Sequence, residues 1–340
     1  MNPPAYDAPM RDAKRALSWL GLLLLPLIFA VLGCTDDSPP NPATAQPPDA
    51  EPRLVTVAPA LSQMIVDLGL ADAIVGVAEH DTAAPPGLPI VGNYNAVNTE
   101  LLLSARPTHV LMMVGPGGPP ARLDDLAGQG LFQLYTFPFP LSISDIGRVL
   151  YDEIPTQGAG PGLGEALGVP QVALALKMRM LRQLAAIGSL TAPLDKPSVL
   201  LVIGTGPVMA CGPGTVHDEL LGFAGGLNAA ADATVTAPEY DRESLLALAP
   251  QVVLFLQPNA PELKDHDPRL TPFAGLPIPA IQSHRVYVIN DPLVLLPSTS
   301  ITRICAQMAK AIHPELSEQI DRVMSDRDGA RSMHAGESHE

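Results

Sequence analysis

The chain has 340 residues, with 35 acidic against 20 basic side chains and a formal net charge of −15. At 47% apolar and 16% charged it can bury a sizeable core, which argues against wholesale disorder. Lysine and arginine do not cluster in the body of the chain, and nucleic-acid binding, which needs grouped cations, is disfavoured.

The first segment reads as a targeting sequence. Arg11, Lys14 and Arg15 precede an apolar stretch, residues 16–32, with Pro26 inside it. Secretory signals share this layout. A permanent membrane helix is the alternative, but the stretch barely reaches the ~20 residues of a span and a proline interrupts it. Val31-Leu32-Gly33-Cys34 follows and resembles the bacterial lipobox, whose cysteine is lipidated and becomes the first mature residue. Residues 1–33 are therefore expected to be a lipoprotein signal peptide and residues 34–52 a proline-rich tether. Acyl chains on Cys34 would hold the protein to an extracytoplasmic membrane face. Cys211 and Cys305 then remain in an oxidising compartment, where they could pair or stay buried as free thiols.

Residues 53–58 read as a strand and residues 61–68 as a helix with Leu61, Ile65 and Leu68 on one face. Residues 74–78 form the next strand and deliver Glu79-His80-Asp81 into a loop. Residues 89–91 are extended and lead to a turn at Gly92-Asn93-Tyr94-Asn95. The segment 98–111 follows, and it recurs without a gap as 241–254. In both copies an Asn or Asp N-cap, Asn98 or Asp241, precedes a glutamate, Glu100 or Glu243, placed where the helix dipole favours a carboxylate. An apolar stripe, a helix-ending proline and an all-apolar strand complete each copy. A period this long suggests two similar lobes rather than a solenoid. Residues 115–120 are glycine- and proline-rich but lack the Lys-Ser/Thr of a phosphate-binding loop. A short helix from 121 and a strand at 132–137 close the first lobe.

Residues 142–151 suit a helix, and residues 155–168 an inserted loop. Residues 170–187 form a strong helix, with Val172, Leu176, Met180 and Leu184 along one stripe. The second lobe opens with a buried strand at 198–204 and a helix at 216–223. Ala224-Gly225-Gly226-Leu227-Asn228, the second repeat copy, a strand at 285–289 and a closing helix at 298–312 follow. Ile301, Cys305, Met308 and Ile312 point inward on that helix, and the polar tail from 325 is expected to fray.

The order of these motifs, from Arg53-Leu54-Val55-Thr56-Val57-Ala58-Pro59-Ala60 through Ile74-Val75-Gly76-Val77, Pro89-Ile90-Val91-Gly92 and the Glu100 repeat to the Ala-Gly-Gly-x-Asn turn, resembles periplasmic binding proteins for iron complexes, haem and cobalamin over residues 53–313. The resemblance implies an α/β fold of two Rossmann-like lobes, each with a mostly parallel central sheet, bridged by a single long helix. The lobes are expected at 53–168 and 191–320, the linking helix at 169–190 and a flexible tail at 321–340. It also implies a monomeric, lipid-anchored binding protein that serves an ABC permease and its ATPase, with Glu100 and Glu243 docking on permease arginines. No intrinsic cofactor is implied. The transported ligand would be haem, another iron chelate such as a ferric siderophore, or a corrinoid.

His80, Tyr94 and Tyr240 adjoin strand ends, where ligands of open α/β sheets gather, and His and Tyr can ligate haem iron. Gly115, Gly117 and Thr205 read either as cleft-lining backbone or as ordinary turns. The glutamates could equally be dipole-favoured helix starts. His217 reads as a satisfied helix residue, and no paired-histidine metal motif is present. An extracytoplasmic enzyme is the second class of reading, with Glu79, His80 and Asp81 as an unspecific acid–base cluster. No hydrolase, zincin or dinucleotide motif supports it. A scaffold lipoprotein with a degenerate cleft is the third. Scarce aromatics argue against a cobalamin cleft built on stacking, and scarce cations near strand ends against a strongly anionic siderophore, which leaves haem ahead.

Overall fold

The computed structural model describes residues 51–152, 160–264 and 266–325. All belong to the second of two units of the chain, Ala43–Glu340. The expected signal peptide, Cys34, most of the tether and residues 326–340 lie outside the described residues.

The first lobe runs β1 (Leu54–Thr56), α1 (Pro59–Asp67), β2 (Ile74–Gly76), β3 (Gly92–Asn93), β4 (Ala96–Val97), α2 (Thr99–Ser104), β5 (His109–Val114), α3 (Ala121–Gly128), β6 (Gln133–Pro138) and α4 (Ile143–Leu150). Its sheet has the order β2-β1-β5-β6 and every pairing in it is parallel. Period-two alternation sorts the strand side chains onto two faces. Leu111 and Met113 of β5 join the large core shared by both lobes, whereas Val110 and Met112 face a smaller cluster under α2 and α3.

The one-turn α5 (Leu163–Ala166) precedes α6 (Pro170–Thr191). This corrects the expected loop in part, because Gly164 packs so closely that a methyl there would lie 2.4 Å from the Ala173 Cβ. The buried stripe of α6 is Ala173, Leu176, Met180, Leu184, Ile187 and Thr191. Val172, expected to head it, is 46% exposed. It lies one position off the stripe, and a helix turns about 100° per residue.

The second lobe runs β7 (Ser198–Thr205), β8 (Val208–Ala210), α7 (Val216–Phe223), β9 (Leu227–Asn228), β10 (Glu239–Tyr240), α8 (Arg242–Leu248), β11 (Val252–Leu256), α9 (Pro279–Gln282), β12 (Val286–Ile289), α10 (Ile301–Ile312) and α11 (Ser317–Ser325). The sheet order is β10-β8-β7-β11-β12, with β9 on β7 and β8 antiparallel to both neighbours. Helix α11 continues to Ser325, past the boundary expected at 320. Val252, Leu254 and Leu256 of β11 join the shared core, and Val253 and Phe255 face the outer cluster with Leu245 of α8.

The repeat survives in the backbone. Asn98 Oδ1 accepts from the Glu100 and Leu101 amides, each at 3.1 Å, and Asp241 Oδ1 accepts from Ser244 at 2.8 Å. The residues before the two prolines, Arg106 and Ala249, both take left-handed φ values of 48° and 42°. A following proline disfavours right-handed helical geometry at that position, so the chain leaves each helix by the same exit. Helices α1, α4, α6, α7 and α10 bring the inner faces of the two sheets into one hydrophobic cluster. The 22-residue α6 is the one long helix linking the lobes, and the shorter helices pack around it.

Candidate functional site

The first-lobe candidates are held at the C-terminal edge of their sheet. Thr56 and Ser62 are fully buried, and their hydroxyl oxygens lie 2.6 Å apart. Ser62 donates to Asp81 Oδ2, while Asp81 Oδ1 accepts from the Ala83 and Ala84 amides at 2.9 and 3.1 Å. This chain pins the loop after β2. His80, beside Asp81, is exposed with a left-handed φ of 59°.

Glu79 Oε2 accepts from Asn93 Nδ2 at 2.9 Å, which ties that loop to the β3–β4 hairpin. Asn93 Oδ1 in turn accepts from Asn95 and Ala96, shaping a two-residue tip that carries Tyr94. Gly92 is required here: its φ is 110°, and a methyl would lie 2.1 Å from the Ala96 carbonyl oxygen. Tyr94 meets Phe139, just past β6, edge to face at 5.4 Å between ring centres. His80 and Tyr94 are thus brought onto adjoining segments. Gly115 and Gly117 occupy an exposed turn after β5, closed by the Gly118 amide on the Gly115 carbonyl, and neither needs to be glycine for space.

In the second lobe, Thr205 and Tyr240 flank Val208 across β8, so the sheet gathers both candidates at one end. Tyr240 is half-buried against the outer cluster and borders a cavity of about 490 Å³ with Ala230, Pro238 and Leu248. Burial raises its phenol pKa. His217 bonds the Val294 carbonyl through Nε2 at 2.6 Å, and its burial lowers the imidazole pKa despite that bond.

Glu100 and Glu243 are exposed on α2 and α8, and neither makes an ion pair among the described residues. Three residues on, at the same repeat position, Leu103 and Leu246 are 36% and 46% exposed. Residues three apart share a helix face, so each lobe presents a carboxylate beside a leucine. The repeated residues that are buried, such as Leu102 and Leu245, have a place in a core cluster; these four do not.

The seam between the lobes is hydrogen-bonded as well as apolar. Glu219 of α7 accepts from the Ile143 amide at 2.8 Å, and Thr299 donates to Asp67 of α1. The Ile143 amide is the first of α4, so a second-lobe carboxylate caps a first-lobe helix. A cavity of about 460 Å³ opens beside this contact, lined by Gly147, Lys177, Leu181 and Phe223 among others.

Cys211 and Cys305 are both free and buried. Burial, then the nearby Asp218 charge, pushes the Cys211 thiol up to about 12, and burial raises Cys305 further. Among the described residues no three His, Cys, Asp or Glu side chains group as metal ligands, and no helix is long and apolar enough to cross a membrane.

Sequence reasoning missed Phe139, the Asp81–Ser62–Thr56 chain and the Glu219 cap. Phe139 was open to the same strand-end criterion that selects His80, since it follows β6 directly between two prolines. The other two are long-range pairings that no local pattern announces.

No family model matches the chain. A vitamin B12-binding protein of Salmonella typhimurium is 26% identical over 208 residues, 60% of this chain and 72% of the relative. A periplasmic haem-binding protein of Pseudomonas aeruginosa has a TM-score of 0.61 and 28% identity, covering 77% of this chain and 92% of the other. The apo periplasmic haem-binding protein of Roseiflexus sp. RS-1 has a TM-score of 0.61 and 25% identity, covering 78% and 99%. These relatives are binding proteins rather than enzymes. In sequence and fold the chain is thus similar to periplasmic binding proteins for haem and vitamin B12.

Proposed function

We propose that this protein is the lipid-anchored capture component of an importer for a tetrapyrrole, with haem ahead of cobalamin. The observation that carries the transport role is the repeated pair Glu100 and Glu243. Each is exposed and unpaired among the described residues, at the same turn of the same helix–strand unit in its lobe. Two such carboxylates suit a two-fold permease that offers a cation to each lobe. Cys34, behind its apolar segment, supplies the anchor.

The ligand reading is supported by His80 and Tyr94 on adjoining segments at a strand edge. The Tyr94 hydroxyl makes no hydrogen bond among the described residues, which leaves its oxygen available to a metal or a polar substituent. Cobalamin stays the second reading because the Salmonella relative is a B12-binding protein.

The test of docking is charge reversal at both glutamates, Glu100→Arg with Glu243→Arg, in cells that depend on the protein for uptake. Uptake is expected to be abolished while ligand affinity of the purified variant is unchanged. Normal uptake by the double variant would remove the docking role.

A further inference from the structure

Only two Phe or Tyr side chains among the described residues are exposed, Tyr94 at 48% and Phe139 at 40%, and they touch each other. Leu141, two residues further on, is 69% exposed, the highest value for any large apolar side chain described. Three exposed apolar groups in one place are not explained by folding, since water is the worst environment for them. Their position is informative. Ile143, two residues past Leu141, is the residue whose amide bonds Glu219 of the other lobe. The patch therefore borders the seam, on the first-lobe side, at the C-terminal edge of the sheet.

The second lobe does not repeat it. The offset that maps Glu100 onto Glu243 maps Tyr94 onto Ala237, and residues 234–237 are Thr-Val-Thr-Ala, all exposed. The exposed aromatic pair is thus particular to the first lobe, and the second lobe's candidate tyrosine, Tyr240, is half-buried instead.

We propose that Phe139, backed edge to face by Tyr94 and flanked by Leu141, is a specificity-determining residue that takes one flat face of a conjugated macrocycle by stacking. The proposal deepens the ligand reading above and rests on it. Stacking favours a planar, weakly hydrated π-face and offers nothing to an oxygen-rich ferric hydroxamate.

The test uses the compact unit 43–340 and four probes: haemin, metal-free protoporphyrin IX, cyanocobalamin and ferric desferrioxamine. Protoporphyrin isolates stacking from metal ligation. Phe139→Ala is expected to weaken protoporphyrin and haemin by about tenfold, and Phe139→Trp to keep them within about twofold of wild type. Melting curves identify any variant that does not fold, and the half-exposed position makes Phe139→Trp a safe companion. Unchanged porphyrin affinity in Phe139→Ala, with wild type binding normally, would overturn the platform alone. Equal weakening of all probes that bind would overturn its role in specificity. Wild type that binds none of the four, or only ferric desferrioxamine, would overturn the tetrapyrrole reading and the platform with it.

Discussion

Replacing Glu219 by alanine removes the carboxylate that caps α4 from the other lobe. The Ile143 amide is buried, 6% exposed as a residue, and its partner oxygen lies at 2.8 Å. An amide left unpaired at such a position costs about 1–3 kcal/mol, and loss of an N-cap about 0.5–2 kcal/mol. These describe the same loss and do not add. The Ser142 hydroxyl still caps the Asp145 amide, and Asp145 still accepts from Ser142 and Leu141, so the helix start is not left bare. An expected loss of about 1–2 kcal/mol follows, which for a unit of this size lowers the melting temperature by about 2–4 °C. Glu219→Gln keeps an acceptor without the charge and should recover about half of that. Circular dichroism melts of the three proteins measure the shift, and hydrogen exchange at the start of α4 locates it. A Glu219→Ala protein that melts with wild type and keeps α4 equally protected would refute the seam argument.

Gly92→Ala should collapse the tip that carries Tyr94, because the methyl cannot avoid the Ala96 carbonyl. A loss of about 2–4 kcal/mol is expected by denaturation together with weakened ligand binding, and wild-type values for both would contradict the hairpin's role. Ala249→Gly relieves a left-handed alanine at the exit of α8 and should stabilise by about 0.5–1 kcal/mol after the extra freedom of unfolded glycine is counted; a lower melting temperature would speak against it. Burial lowers the pKa of His109 and His217, so the folded state favours their neutral forms. Their contribution is complete above the unfolded pKa of about 6.5 and declines as pH falls through it towards the lowered folded values. Melting temperature should drop between pH 7.5 and 5.5, less steeply in His217→Gln, and identical slopes would exclude His217 as a contributor.

Much of the fold was legible because its signals are local. Val252 to Leu256 is an unbroken apolar run, and it lies in mid-sheet with every residue fully buried. The two caps, the two prolines and the constant offset mark the repeated unit from local sequence alone. What the sequence hid was pairing at distance. The three-residue β8 and the two-residue β9 and β10 are too short to show a period; β8 and β9 form on the edge of β7, and β10 forms on β8. Valine at 172 is apolar and fits a buried stripe by type, yet the stripe is set by what α6 meets, and it begins one residue later at Ala173. The site was half legible. Strand-end position found His80 and Tyr94, but Phe139 becomes visible only when its exposure and its contact with Tyr94 are known.

The most direct test of the account is an absorbance titration of the 43–340 unit with haemin and, separately, with cyanocobalamin. A saturable Soret shift with haemin is expected, lost on Tyr94 or His80 substitution while the protein remains folded. The absence of any saturable change with either compound would contradict it.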